Sequence, residues 1–380
     1  MKVLVFICGE GLGHTSRCIA LGRELLDAGH EVYLGAYGYS KEFIERKGFR
    51  TVEIPPEIVL VGDSGSLDLK RSIISTLKSG NVFGIFKILN LLKEKKPDVV
   101  VSDSYFTGII GSKARGIPVY LIVNQSNMET FFKNGGIVLR TMGWIIKQFY
   151  SWIFRKVDRI IIPDFPMPYT VCRQNLAFEK KVSRNLFFSG PLVLEKYDNV
   201  KAEVLQKPHV LSLIGGFGYR EPIFRKVIEA AKLDKNINYT LLSGPNLNPD
   251  VFSNLPENVT IKRFINDQFP YLKASDLVIA PGGHSTIMEA LTFGVPMLSF
   301  PDINHSEQEN NAAVVDFEDY GKRLDYGASP EEILQSIKEL LKDEKIRKKV
   351  ENMKKLSKDL NATAAIKELL ESNSRINQRV

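Results

Sequence analysis

Twice along this chain a short, unbroken apolar run meets a glycine-rich turn and then a stretch of helical periodicity, and that repeat restricts the fold to a few architectures. The first copy runs through residues 2–8 (K-V-L-V-F-I-C), then Gly9-Glu10-Gly11-Leu12-Gly13-His14, then residues 15–28. In that last segment Ile19, Leu21, Leu25 and Leu26 share one helical face. The second copy is residues 210–214, Gly215-Gly216-Phe217-Gly218 and residues 223–231. An apolar run without polar alternation is buried on both faces, which belongs to a parallel sheet covered by helices. At 380 residues the chain exceeds one ordinary core.

Further strands are expected at residues 31–34, 51–54, 97–103, 119–123 and 158–163 in the first half, which residues 187–191 close, and at 239–242, 259–264, 277–280 and 297–300 in the second. Helices are expected at 41–47, 67–95 (in two pieces), 107–115, 268–274, 330–341 and 345–370, with 55–66 as loop. The alternation predicts an α/β protein of two Rossmann-like doubly wound domains facing each other across a cleft. Their expected bounds are 1–193 and 208–360, joined by a polar linker at 194–207.

The first glycine turn invites a dinucleotide reading, and the residues argue against it. A dinucleotide fingerprint needs G-x-G-x-x-G and an acidic residue closing the second strand. Here His14 stands where the third glycine belongs, and the second strand ends in Gly35-Ala36-Tyr37. No NAD and no other cofactor is expected. Cys8, Cys18 and Cys172 are scattered, without metal spacing, and suggest a reducing compartment. The N-terminal apolar run is too short for a signal peptide, and no run is long enough to span a bilayer. A cytoplasmic protein is expected, at most peripheral on the inner face of the cell membrane.

Net charge is +7, and residues 133–184 alone carry ten Lys and Arg against three acidic residues, the same excess as the whole chain. Within that region residues 131–156 hold both tryptophans and a dense apolar set, interrupted by Lys133, Arg140, Lys147, Arg155 and Lys156. Two readings stand: a core helix with a solvated basic face, or a surface that lies on anionic lipid. No nucleic-acid partner is expected.

The densest chemical information lies in residues 276–312. Leu277 to Ala280 reads as a buried strand, Pro281-Gly282-Gly283 breaks it, and His284, Ser285 and Thr286 open a helix that ends at Gly294. A helix N-terminus after a glycine turn receives anions, because its free N–H groups and its dipole point at the ligand. Glu289, one turn in, has two acceptor oxygens suited to a pair of vicinal hydroxyls. Glu307 and Gln308 are placed on a polar loop at the same strand-end face. Together these features predict a nucleotide-sugar site.

The pattern G-G-H-S-T-x-x-E-x-x-x-x-G-V-P-x-x-x-x-P followed by E-Q-x-x-N-A resembles the donor-site signature of GT-B glycosyltransferases, above all glycosyltransferase family 28 with its peptidoglycan lipid-intermediate N-acetylglucosaminyltransferases, and also the small-molecule UDP-glycosyltransferases. The resemblance extends to G-x-G-H-T near the start, P-D-V-V-V-S-D, the Gly215 turn and R-F-I-N-D. It implies the GT-B fold and transfer of a hexose or N-acetylhexosamine from a UDP-sugar to a hydroxyl acceptor, lipid-linked or membrane-borne, by inverting displacement. It also implies that Glu289 holds the ribose diol, that the N–H groups of Gly283 to Thr286 with His284 hold the diphosphate beside Gly282, and that Phe264 and Ile265 read the base. Glu307 and Gln308 would contact the donor sugar, and Gly216, Phe217 and Gly218 would approach the phosphate or acceptor. Residues 361–380 would cross back to the first domain.

Direct displacement needs a base for the acceptor hydroxyl. His14, at the first glycine turn, is the candidate base, and Asp103, at the end of the strand 97–103, would orient it; the bland alternatives are a helix cap and a strand-end turn residue. Gly11, Gly13, Asn124 and Gln125 are expected on the acceptor side. Where the lipid-intermediate enzymes carry H-E-x-N, this chain has Val123-Asn124-Gln125-Ser126, which points to a different acceptor. No D-x-D pair and no histidine ligand spacing occur, so no metal is expected. Two other functional classes fit the same layout: a UDP-sugar 2-epimerase, and a non-catalytic nucleotide-sugar-binding or membrane partner protein.

Overall fold

The computed structural model describes the chain except residues 10, 11, 58–61, 64, 68–70, 73, 74, 76–83, 134, 135, 215–217, 245, 246, 253, 264, 266 and 378–380. The chain forms two compact units, residues 1–61 with 68–194 and 360–380, and residues 62–67 with 195–359.

In chain order the first stretch comprises β1 (Lys2–Ile7), α1 (Leu12–Asp27), β2 (Glu31–Ala36), α2 (Gly38–Arg46) and β3 (Thr51–Glu53). A small hairpin, β4 (Gly62–Asp63) and β5 (Ser66–Leu67), follows and belongs to the second unit. Then come α3 (Gly84–Lys95), β6 (Val99–Asp103), α4 (Phe106–Ala114), β7 (Val119–Ile122), α5 (Ile137–Lys156), β8 (Arg159–Ile162) and β9 (Leu186–Phe188). The seven-stranded sheet has the order β3-β2-β1-β6-β7-β8-β9, and every pairing is parallel. The chain winds outward from β1 in one direction and, after returning, from β6 in the other. The switch point therefore lies between β1 and β6, where Ile7 pairs with Asp103. Ligand crevices in doubly wound sheets open at the carboxyl ends of the strands flanking such a point.

The second unit repeats the plan: β10 (His209–Ser212), α6 (Glu221–Leu233), β11 (Asn238–Leu242), β12 (Val259–Lys262), α7 (Phe269–Ala274), β13 (Leu277–Ala280), α8 (His284–Phe293), β14 (Met297–Ser299), α9 (Ser306–Phe317), β15 (Gly321–Arg323), α10 (Pro330–Lys342) and α11 (Glu344–Asp359). Its sheet order is β12-β11-β10-β13-β14-β15, again all parallel, with the switch between β10 and β13. The last helix, α12 (Ala362–Asn377), packs on α1 in the first unit: Thr363 Oγ1 donates to Glu24 Oε2 at 3.0 Å, and His30 Nε2 meets Glu371 Oε1 at 2.9 Å.

Several expectations are corrected. Residues 55–66 are not all loop, because β4 and β5 pair there, and most of the expected helix before residue 84 lies outside the described residues. The helix after the first glycine turn starts at Leu12, so Gly13 and His14 lie in its first turn rather than ahead of it. Glu307 and Gln308 are not on a loop but in the first turn of α9, where Glu307 and Glu309 complement the helix dipole. β15 escapes periodicity analysis because three residues carry no usable period. Residues 345–370 are two helices rather than one. The chain turns at Leu360-Asn361, where Leu360 packs so closely on Gly190 that a Cβ there would lie 2.9 Å from Leu360 Cβ.

Candidate active site

At the first switch point, β6 delivers Asp103 and the first turn of α1 delivers His14. His14 Nδ1 lies 2.7 Å from Asp103 Oδ1, with Asp103 fully buried and the imidazole 27% exposed. One helical turn on from His14, Arg17 is also buried and grips the same carboxylate, Nε to Oδ2 at 2.5 Å and Nη2 to Oδ1 at 2.5 Å. Arg17 Nη1 donates to Asn124 Oδ1 at 3.2 Å, and Cys18 Sγ lies 3.3 Å from Asp103 Oδ2. Burial alone would raise the Asp103 carboxyl, but the Arg17 charge and then His14 outweigh it and hold it well below the usual carboxylate range. Burial and the Asp103 charge push the Cys18 thiol up. Gln125 is buried and donates to Asn127 Oδ1 at 3.3 Å. Gly11 lies outside the described residues.

At the second switch point the glycine turn leads from β13 into α8. Gly282 is required by close approach, since a Cβ there would lie 2.3 Å from the Gln308 carbonyl oxygen. Asn311 Nδ2 donates to the Gly282 carbonyl at 3.0 Å, tying α9 to the same turn. Gly283 is the N-cap, His284 is buried in the first helical position, and Ser285 and Thr286 are partly exposed. Gly294, at φ 71°, closes α8 in the left-handed conformation that glycine adopts without strain. Glu289 is buried on α8, and Gln268 Nε2 donates to its Oε2 at 2.7 Å. Desolvation, opposed by the Gln268 bond and reinforced by Asp267, raises the Glu289 carboxyl to about 8. Ile265 is partly buried, Gly218 opens a short 3-10 turn to Arg220, and Gly216, Phe217 and Phe264 lie outside the described residues.

Beyond β14 a buried polar cluster forms around Asp302. Arg220 donates to it through Nε at 2.8 Å and Nη2 at 2.5 Å, Tyr219 through its hydroxyl at 3.1 Å and Tyr326 at 2.9 Å. Gln308 completes the ring: its Nε2 donates to Asp302 Oδ2 at 3.0 Å and its Oε1 accepts from the Asp302 N–H at 2.9 Å. Burial would raise Asp302, but Arg220 dominates and lowers it. The β4–β5 hairpin seats against the same group. A Cβ on Gly65 would lie 2.3 Å from the Tyr326 ring, and Ile303 N–H donates to the Gly65 carbonyl at 2.9 Å. Glu307 Oε1 accepts from Asn311 Nδ2 at 3.3 Å.

Sequence reading finds His14, Asp103 and Glu289 but misses Arg17, Gln268, Arg220 and Asp302. For Arg17 a signal exists, because residues three apart on a helix are neighbours and His14 is three before it. Nothing local marks Asp302, whose side-chain partners come from three separate stretches of sequence, residues 219–220, 308 and 326.

On α5 only Gly143, Tyr150, Ile153 and Phe154 are buried. Ile137, Val138, Trp144, Ile145 and Trp152 are exposed, Trp144 by 62% and Ile137 by 83%, among Arg140, Lys147, Arg155 and Lys156. The helix is therefore neither wholly core nor merely basic on its outer face. Among the described residues no helix is long and apolar enough to cross a membrane.

Two parallel doubly wound units, each with a polar constellation at its switch point, define the GT-B fold. Residues 212–369 match the glycosyltransferase family 28 C-terminal domain, and residues 13–167 match glycosyltransferase family 4. An uncharacterized glycosyltransferase of Methanosarcina acetivorans is 60% identical over 98% of both chains. The UDP-N-acetylglucosamine--N-acetylmuramyl-(pentapeptide) pyrophosphoryl-undecaprenol N-acetylglucosamine transferase of Bacillus pumilus is 26% identical over 95% of both chains. Among solved structures, the glycotransferase of kitacinnamycin is similar with a TM-score of 0.72 and 17% identity, over 98% of both chains. A spinosyn rhamnosyltransferase complexed with thymidine diphosphate reaches 0.68, also at 17% identity, over 98% of this chain and 100% of that one. The chain belongs to the glycosyltransferase family of its Methanosarcina relatives, with a family 28 C-terminal domain.

Proposed function

We propose that this glycosyltransferase moves a hexose or N-acetylhexosamine from a UDP-sugar to a hydroxyl of a lipid-linked or membrane-borne acceptor, inverting the anomeric carbon without a metal ion. The observation that carries the reading is the buried Glu289 carboxylate on a helix whose N-terminus opens at a glycine turn. A carboxylate buried beside one amide lacks partners for its charge, and two ribose hydroxyls supply them. The N–H groups of Gly283 to Thr286, with His284, take the diphosphate, and the helix dipole stabilises the charge that develops on it. Ile265 reads the base edge, and Gly218 approaches the phosphate or the acceptor. Glu307 and Gln308 meet the sugar in this reading, Gln308 while its Nε2 donates to Asp302.

In this reading the first unit supplies the base. His14 Nδ1 donates to Asp103, so Nε2 presents a lone pair. The acceptor oxygen attacks the anomeric carbon as the bond from that carbon to the phosphate oxygen breaks. The electron pair leaves with UDP, and the acceptor's proton passes to His14 Nε2. Asn124 and Gln125 belong to the acceptor side. The Bacillus relative's name specifies a UDP-sugar and a lipid-linked acceptor, and the rhamnosyltransferase holds a nucleoside diphosphate, which supports the donor class. The exposed aromatic and basic face of α5 supports an acceptor held in an anionic membrane, and with it a peripheral place on the inner membrane face.

The test is incubation with a panel of UDP-sugars, with and without a lipid extract. Release of UDP that depends on the extract, with a product of inverted anomeric configuration by NMR, is the expected result. An epimerised UDP-sugar formed without extract assigns the chain to the epimerases, and binding without turnover overturns the reading.

A further inference from the structure

We propose that the second unit carries a further sugar-binding groove on the sheet face formed by β10, β11 and β12, where Thr240, Thr260 and Tyr271 present a hydrogen-bonding pattern for a neutral saccharide unit. None of these residues belongs to the proposed donor or base set, so the groove does not depend on that reading.

The two faces of these strands differ. On one, Val210, Tyr239, Leu241 and Val259 bury in the core built with α6 and α10. On the other, the alternate residues are mostly polar. Parallel pairing sets Thr240 beside Thr260, with Lys262 two residues further along the same face and His209 one strand over. The crossover from β12 to β13 contributes only α7, a helix of six residues, and Thr260 stays exposed. An open cavity of about 320 Å³ results, walled by Tyr271 and residues 203–206. That size lies at the lower end of the range for small-ligand clefts, about 300–1,000 Å³.

Fixed hydrogen bonds orient the hydroxyls of this groove. His209 Nδ1 lies 3.3 Å from the Gln206 carbonyl, which can only accept, so Nδ1 carries the ring proton. Burial holds the imidazole below its ordinary value and so favours the neutral ring. Nε2 then accepts, and Thr240 Oγ1 donates to it at 3.0 Å. The Thr240 hydroxyl gives its proton to His209 and offers lone pairs to the groove. At Tyr271 the sense is reversed. Lys262 Nζ donates to the Tyr271 hydroxyl at 2.6 Å, which turns the phenolic proton away from Lys262 and makes it a donor. Thr260 serves in either sense.

A sugar hydroxyl both donates and accepts, so neighbouring hydroxyls of one ring satisfy the Thr240 acceptor and the Tyr271 donor together. The Tyr271 ring and Leu205 supply apolar surface for the C–H groups of the sugar. Charge favours a neutral ligand over an ion. Glu203 and Glu257 line the groove and oppose an anion such as phosphate, while Lys262 opposes a cation. In a glycosyltransferase such a groove would hold a sugar already present on the acceptor or the product.

The test uses the full chain, with and without excess UDP. Saturation-transfer NMR with the methyl glycosides of glucose, galactose and N-acetylglucosamine is expected to give a saturable signal for at least one, with a Kd of about 1 mM that UDP leaves unchanged. Y271F and T260V each remove one hydroxyl while keeping the shape of the side chain, and each should weaken that binding about threefold to tenfold. T240V should weaken it likewise, and T240S should retain it; this pair carries the test if Y271F or T260V fails to fold. No saturable signal from any of the three glycosides, a signal that UDP abolishes, or equal affinity in the folded variants overturns the inference. Glycoside binding in a chain that does not bind UDP would instead leave the groove standing and count against the donor reading.

Discussion

Gln268 Nε2 lies 2.7 Å from Glu289 Oε2, and burial raises that carboxyl to about 8 although the Gln268 bond opposes it. Ribose hydroxyls donating to the carboxylate would favour its charged form, so donor binding should expel a proton. UDP affinity is then expected to increase with pH up to about 8, and calorimetry in buffers of different ionisation enthalpy should register the released proton. E289Q should flatten the pH dependence, and E289A should weaken UDP binding by about 1–3 kcal/mol. Affinity in E289A equal to that of the natural chain would remove Glu289 from the donor site.

The same group makes a stability prediction with a definite sign. Its folded value is about 8 against an ordinary 4.5, so between those pH values the folded state binds more protons than the unfolded state. Stability therefore falls as pH rises through that window. E289Q has no such proton to lose. Urea unfolding of the two proteins should show E289Q gaining on the natural chain as pH rises from about 4.5 to about 8, with the gap constant above.

His14→Ala should reduce turnover by about 10²–10⁴-fold, the usual contribution of a positioned base. UDP affinity should not change if the donor is held, as proposed, by residues of the second unit. Fluorescence titration with UDP beside a turnover assay separates the two effects.

Asp302→Ala strips the partner from buried Arg220 and leaves the hydroxyls of Tyr219 and Tyr326 without their acceptor. Breaking a buried pair in this way costs about 3–5 kcal/mol. The loss should appear as a lower urea midpoint, and Asp302→Asn should recover part of it by keeping the hydrogen bonds without the charge. An unchanged midpoint in Asp302→Ala would mean that the cluster contributes nothing to the fold.

If α5 meets an anionic membrane, the full chain should co-sediment with phosphatidylserine-containing vesicles and dissociate as salt is raised. Trp144→Ser together with Trp152→Ser should weaken binding severalfold while the fold is kept, since both rings are exposed. Equal binding to neutral and anionic vesicles would remove the basic residues from the account.

The local alternation of apolar runs, glycine turns and helical faces was enough to read two parallel sheets, because strand burial and helix periodicity are written in neighbouring residues. It also marked Glu289 through its distance from Gly283, since a helix places residues at a fixed rise. It failed where pairing is remote or the element is short. The β4–β5 hairpin belongs to the second unit although it lies among first-half residues, and its glycines matter because of Tyr219 and Tyr326, more than 150 residues away. Gln308 reads as a polar residue at a strand-end face, and only tertiary packing joins its side chain to Asp302.

His14 and Asp103 show where the division falls. Sequence alone placed one at a glycine turn and the other at a strand end. Only the parallel pairing of β1 with β6 put those two ends side by side, and only the first turn of α1 turned Arg17 onto the same carboxylate. Strand order is set by which surfaces bury best against each other across the whole sheet, a sum over remote contacts that no local stretch of sequence contains.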